Sequence, residues 1–107
     1  MSAYLGEFEQ LLLLALLRLG PGAGTAAIRD AVEAGSGRKV WLGAVFTTLE
    51  RLEAKGLVRS SLIEPSGGGR RRKIYALDPA GEAALAHAYD TWTRMTRGLK
   101  PKLDSLG

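Results

Sequence analysis

The sequence predicts a mainly α-helical domain with one small β-hairpin, an α+β arrangement closed by a long C-terminal helix. Three observations predict it. Apolar residues recur at intervals of three and four in four separate stretches. Glycine-containing breaks at Gly20-Pro21-Gly22, Gly35-Ser36-Gly37 and Gly56 divide the first three of them. Between Leu57 and Leu77 the pattern turns β-compatible around Pro65-Ser66-Gly67-Gly68-Gly69. With 107 residues, 46% hydrophobic and 24% charged, the chain can build one globular domain with a modest core.

The first helix is expected from Leu5 to Leu19. Leu5, Phe8, Leu12, Ala15, Leu16 and Leu19 form one stripe, and Leu11, Leu13, Leu14 and Leu17 carry the apolar surface nearly all round. A helix apolar on every side must be covered on every side, either by its own chain or by a second copy. Thr25 is the expected N-cap of a short helix from Ala26 to Ala34, with Ile28, Ala31 and Val32 inward. Arg38-Lys39 lead into a third helix, where Leu42, Val45, Phe46, Leu49 and Leu52 make the expected buried face. Gly56 is placed for a left-handed C-terminal cap. The opposite face is small and nearly uncharged: Gly43, Ala44, Thr47, Thr48 and Arg51. A short helix, a tight link and a second amphipathic helix form a helix-turn-helix pattern. Small residues would let such a helix enter a major groove about 12 Å wide. An ordinary amphipathic helix explains the same residues if the stretch is taken alone.

Leu57–Ile63 and Lys73–Leu77 are the expected hairpin strands, with Tyr75 and Leu77 on one face. The tip and returning strand carry Arg70-Arg71-Arg72-Lys73, which reads as a solvated loop or, directly after a helix-turn-helix, as a wing lying along phosphates. Asp78-Pro79 then supplies an N-cap and a first-turn proline for a helix running to about Gly98. Along it Leu85, Ala88, Trp92, Met95 and Leu99 recur as a heptad-like seam, too short for an independent coiled coil but able to face a partner helix. The whole is thus expected to be a winged helix-turn-helix with a C-terminal dimerisation helix. Residues 1–77 would form the DNA-binding part and residues 78–107 the dimerisation helix and tail, in one compact unit.

Composition narrows the function. Lys and Arg outnumber Asp and Glu by 15 to 11, a net +4 that suits an anionic partner. With no cysteine and a single histidine, His87, there is no thiolate or histidine-rich metal site and no ordinary catalytic triad. The glycine loop lacks the order of a phosphate-binding nucleotide loop. Glu50 and Glu53 read as solvated rather than as a catalytic pair, so no enzyme and no cofactor are expected. The run Leu11–Leu17 falls far short of the roughly 20 residues that span a bilayer, so a soluble cytoplasmic protein is expected, with no membrane partner.

Order and motifs together resemble the PadR family of bacterial winged-helix transcriptional regulators, in its short form. The resemblance is carried above all by Leu42-Gly43-Ala44-Val45-Phe46-Thr47-Thr48-Leu49-Glu50-Arg51-Leu52-Glu53 with Lys55-Gly56-Leu57-Val58. Gly69-Arg70-Arg71-Arg72-Lys73-Ile74-Tyr75 and Leu77-Asp78-Pro79-Ala80-Gly81 look like the family's wing and its exit into the last helix. The resemblance implies a homodimer joined through the first and last helices, binding a roughly palindromic operator in double-stranded DNA and usually repressing. Some relatives release DNA when a small, often aromatic, compound binds. Three departures stand out. Trp41 occupies a position where a small hydroxyl residue is usual, and Phe46 replaces a frequent Tyr. Gly24-Thr25-Ala26-Ala27 replaces an aromatic-containing start of the second helix.

The expected division of labour follows. Thr47, Thr48 and Arg51 would contact the groove, Gly43 and Ala44 would permit approach, and Trp41 would lie at the same edge. Arg38, Lys39, Arg70, Arg71, Arg72 and Lys73 would neutralise phosphates. Phe8, Leu12, Leu16, Leu85, Ala88, Trp92, Met95 and Leu99 would join two copies. Trp92 is either a packed anchor of that seam or a surface on which a planar effector stacks. The other functional class left open is a winged-helix module that binds proteins and never meets nucleic acid.

Overall fold

The computed structural model describes residues 5–65 and 67–107. Eight elements follow in order: α1 (Glu7–Leu19), β1 (Ala23–Gly24), α2 (Thr25–Ser36), α3 (Leu42–Ala54), β2 (Val58–Ile63), β3 (Arg72–Leu77), α4 (Pro79–Thr96) and α5 (Lys100–Leu106). The three strands form an antiparallel sheet in the order β1-β3-β2, with Val58 opposite Leu77 and Ser60 opposite Tyr75. β1 adds the pairs Ala23–Tyr75 and Gly24–Ile74 at the other edge. The expected loop between β2 and β3 includes Ser66, which lies outside the described residues.

The core gathers around α1. Leu12, Leu13, Leu16, Ile28, Val45, Leu49, Leu52, Val58 and Tyr75 are almost wholly buried, drawn from three helices and the sheet. A leucine-rich helix meets α2, α3, α4 and β3, and burying each such side chain stabilises the fold by about 1.5–3 kcal/mol before entropy is counted. The covering is incomplete. Leu14 and Leu17 remain 48% and 57% exposed, so the chain itself covers only part of the apolar circumference.

Ends of helices show where the chemistry agrees with expectation and where it does not. Asp78 caps α4, accepting from the Ala80 N–H at 2.9 Å, with Pro79 in the first turn. Thr25 is not a cap: α2 begins one residue earlier than expected, Gly24 holds the cap position, and Thr25 is already helical. Gly24 is also committed to β1, and that pairing with Ile74 sets where the helix starts. Gly37 ends α2 in the left-handed region at φ 72° and donates to the Glu33 carbonyl. Gly81 lets α4 approach the sheet, since a Cβ there would stand 2.0 Å from the Leu57 carbonyl oxygen. Beyond Gly98 the chain does not simply stop. Pro101 falls in the first turn of α5, where its missing N–H costs no hydrogen bond.

One partly buried ion pair fastens α1 to the end of α3. The Glu9 carboxylate accepts from Lys55 Nζ at 2.7 Å and from the Gly6 N–H at 3.0 Å. Burial pushes this carboxyl up, but the Lys55 and Gly6 hydrogen bonds, helped by the charges of Lys55 and Arg51, outweigh it and hold it below its ordinary value of 4.5. A carboxyl depressed in the folded state contributes stability that is complete above its unfolded pKa and is lost as pH falls through the folded value. Glu9→Gln is therefore expected to lose about 1–3 kcal/mol at neutral pH. Its thermal midpoint should also fall less steeply than the parent's below pH 4.5, read by circular dichroism.

Candidate nucleic-acid interface

Helix α3 buries Val45, Thr48, Leu49 and Leu52. These four lie within a narrow arc at 100° per residue, and the arc opposite them carries Gly43, Thr47, Glu50 and Ala54. Thr48 was an expected groove contact, and the structure corrects this. It sits one turn from both Val45 and Leu52 on the core side, 7% exposed, and cannot reach a ligand outside. Leu42 and Phe46, expected inside, are 44% and 45% exposed: Phe46 falls about 90° to the side of the Val45–Leu49–Leu52 line, and Leu42 is the first residue of the helix, at the edge of the core. Gly43, Ala44, Thr47 and Arg51 are exposed. Ala44 and Arg51 occupy the flank nearer α1, and Phe46 and Glu53 the flank nearer the sheet.

The approach to α3 is fixed by hydrogen bonds from α2. The Val40 N–H donates to Glu33 Oε2 at 2.8 Å and the Arg38 N–H to Ser36 Oγ at 3.3 Å. Arg38 also reaches Glu7 at 3.0 Å, an exposed pair contributing about 0–1 kcal/mol and easily exchanged for another anion. Lys39 is exposed. Trp41 is the N-cap residue of α3, makes no side-chain cap, and is 84% exposed. It stands between two clefts, one of about 360 Å³ shared with Phe8, Leu11 and Ala44, the other of about 520 Å³ shared with Arg29 and Glu33. The cap lost with a hydroxyl residue, typically about 1 kcal/mol, is not offset by packing of this indole within the chain.

The β2–β3 hairpin is tied to α3 by a cluster that sequence reading assigned otherwise. Glu53, read as solvated, accepts from the Ser60 hydroxyl and pairs with Lys73 at 3.4 Å. The Ser60 hydrogen bond lowers its carboxyl pKa; slight burial opposes this and Lys73 adds to it. Lys73, expected on phosphates, is half-buried and lies 5.7 Å over the Tyr75 ring, so its charge holds the wing to α3. Burial pushes the Tyr75 phenol up, and its hydroxyl finds no hydrogen-bond partner among the described residues. Arg71 pairs with Glu64 at 2.9 Å in solvent. Arg70 and Arg72 are exposed, and a Cβ on Gly24 would stand 3.1 Å from Arg72 Nη2, which places that guanidinium beside the uncapped start of α2. Exposed cations thus lie on the approach to α3, at Arg38 and Lys39, and on the hairpin that Glu53 ties to α3, at Arg70, Arg71 and Arg72.

The expected partner-facing residues divide between core and surface. Leu12, Leu16 and Leu85 are 0%, 2% and 7% exposed, already spent on the chain's own core and closed to a second copy. Phe8 and Ala88 pack half-buried against that core. Trp92, Met95 and Leu99 are exposed, joined by Tyr89, Leu103 and Leu106. The heptad-like seam therefore changes partner midway: its first two residues dock on α1 and β3, and after Ala88 no residue of α4 or α5 is buried.

Two helices joined by a short link, with a β-hairpin braced against the second, define a winged-helix protein. The chain belongs to the transcriptional regulator PadR-like family, whose model matches residues 13–87. It is 37% identical over 87 residues to an uncharacterized 37.1 kDa protein in transposon TN4556 of Streptomyces fradiae. That match takes in 81% of this chain and 24% of the relative, so the chain spans about a quarter of the relative's length. A PadR-like transcription factor from Bacteroides fragilis shares the fold with a TM-score of 0.72 at 23% identity, over 94% of this chain and 89% of that one. A PadR family regulator from hypervirulent Clostridium difficile R20291 does so at 0.70 and 24% identity, over 90% and 98%. Among the described residues no helix is long and apolar enough to cross a membrane.

If Glu53 holds the wing, Glu53→Ala should raise amide hydrogen exchange across Val58–Ile63 and Arg72–Leu77 and leave α1 unchanged. The cost in global stability should stay near ~1 kcal/mol, since the pair is partly exposed. Unchanged exchange in both strands would mean that the core alone fixes the hairpin.

Proposed function

We propose that this chain is a DNA-binding regulator that acts as a homodimer, sets α3 of each copy in a major groove, and represses from a roughly palindromic operator. The observation that carries the reading is the exposed line Gly43–Thr47 with exposed cations on its approach and on the hairpin tied to α3. A helix that meets only water needs no small residues over its first turn. One that must bring its backbone within reach of base edges does. Arg38 and Lys39 on the approach and Arg70, Arg71 and Arg72 on the hairpin are placed for phosphates, with Thr47 and Arg51 for bases and Trp41 for the groove wall. Three adjacent exposed arginines on the wing suit a phosphate backbone better than a neutral protein surface.

Dimerisation rests on the exposed end of α4. Tyr89, Trp92 and Met95 form an exposed apolar row on α4 that a second copy can cover, with Leu99 exposed beyond the helix end. Two recognition helices about 34–36 Å apart would then meet successive turns of one face of the duplex.

Fluorescence anisotropy with the DNA upstream of the protein's own gene, against random DNA, tests the first part. Neutralising six to ten phosphates predicts an affinity that falls about 10³- to 10⁵-fold between 50 and 200 mM salt. Arg51→Ala should narrow the preference for cognate DNA. Arg70→Ala should weaken all DNA alike and reduce the salt slope by about one. No binding at low salt would defeat the reading. Sedimentation equilibrium tests the second part: a dimer is expected, dissociated by Trp92→Asp combined with Met95→Asp, and a monomeric parent protein would end that proposal.

A further inference from the structure

Most carboxylates near α3 are engaged. Glu53 is held by Ser60 and Lys73, Glu9 by Lys55, Glu33 by the Val40 N–H and Glu7 by Arg38. Glu50 is different. It is exposed on the outward line of α3 and takes part in no hydrogen bond or ion pair among the described residues. Its neighbours at three and four residues are Phe46, Thr47, Glu53 and Ala54, so it has no cation on its own helix face, and Glu53 carries the same sign.

A lone carboxylate at the centre of a surface flanked by cations weakens any attraction to phosphates. It can, however, choose between bases. In the major groove guanine offers only acceptors, and thymine an acceptor and a methyl group. Adenine offers a donor beside an acceptor, whereas cytosine offers the N4 amino donor alone. A carboxylate that only accepts is repelled by the first two, half-matched by the third and matched by the fourth. One turn toward the N-terminus, Phe46 presents apolar surface, 45% exposed, of the kind that packs on a thymine methyl. Four helical residues rise about 6 Å, which corresponds to one to two base-pair steps of about 3.4 Å.

We propose that Glu50 is a specificity-determining residue that accepts a hydrogen bond from the N4 amino group of a cytosine in each half-site. Phe46 lies against a thymine methyl one to two base pairs away. This deepens the groove reading of α3 and rests on it. The carboxylate trades general affinity for discrimination, because DNA without a cytosine at that position meets an unpaired, desolvated charge.

Selection of duplexes from a randomised library, repeated with wild type, Glu50→Ala and Glu50→Gln, tests it. Wild type should enrich a motif with a fixed cytosine and a neighbouring thymine. Glu50→Ala should lose the preference at the cytosine alone and bind the enriched duplex about 5- to 150-fold more weakly. Glu50→Gln should shift that position toward adenine, which glutamine can pair in bidentate fashion. The enriched duplex with N4-methylcytosine at that position keeps its base pairing but loses the amino donor in the groove. Wild type should lose as much on it as Glu50→Ala loses on the plain duplex. That arm needs no variant to fold. A motif unchanged in both variants, or indifference to N4-methylation, overturns the proposal while leaving α3 in the groove. Failure of the wild type to enrich any motif overturns both.

Discussion

Burial of α1 is the constraint on which the rest depends. Its leucines outnumber the positions that one face can hide, so α2, α3, α4 and the sheet are all recruited to cover it. Each of those elements takes its place by what it offers: Ile28 and Val32 from α2, Val45, Leu49 and Leu52 from α3, Tyr75 from β3, Leu85 from α4. What they cannot cover, Leu14 and Leu17, stays in solvent.

Electrostatics settles the remaining freedom. Charges that sequence reading pooled as one basic surface separate into two kinds once distances are known. Lys55 and Lys73 serve Glu9 and Glu53, bracing α3 against α1 on one side and against the hairpin on the other. Arg70 and Arg72, with Lys39, stay exposed, while Arg38 and Arg71 sit in solvent-exposed pairs that another anion can displace. The first kind positions; the second is available to a partner.

Much of this was legible in the sequence because the signals were local. Asp78-Pro79 announced the start of α4, Gly56 the end of α3, and the glycine-rich loop the hairpin. The errors came where a neighbour decides. On α3 the periodic pattern admits Phe46 or Thr48 to the buried side equally well by spacing, and hydrophobicity favoured Phe46. The directions from which α1 and α2 approach chose Thr48. The two-residue strand Ala23–Gly24 has no pattern of its own and exists only by pairing with β3. Lys73 looked like its three arginine neighbours, and only the register that sets Ser60 opposite Tyr75 brings it to Glu53. The last helix, expected to run to about Gly98, ends at Thr96 and is followed by α5, whose first turn Pro101 suits.

The attachment of α3 to α1, with Lys55 meeting Glu9 after the helix and Val45, Leu49 and Leu52 sharing one core with the leucines of α1 along it, has a mechanical consequence. A tilt of α3 against α1 must lengthen one of these contacts, and any shift also disturbs the leucines packed between them. The body from α1 to the first turns of α4 therefore behaves as one jaw of a caliper. In the dimer proposed above, its gauge would be set outside the jaw, in the stretch of α4 after Ala88 where no side chain is pinned by the core. Sequence change in that stretch can alter the reach between two jaws without reshaping the face that each presents.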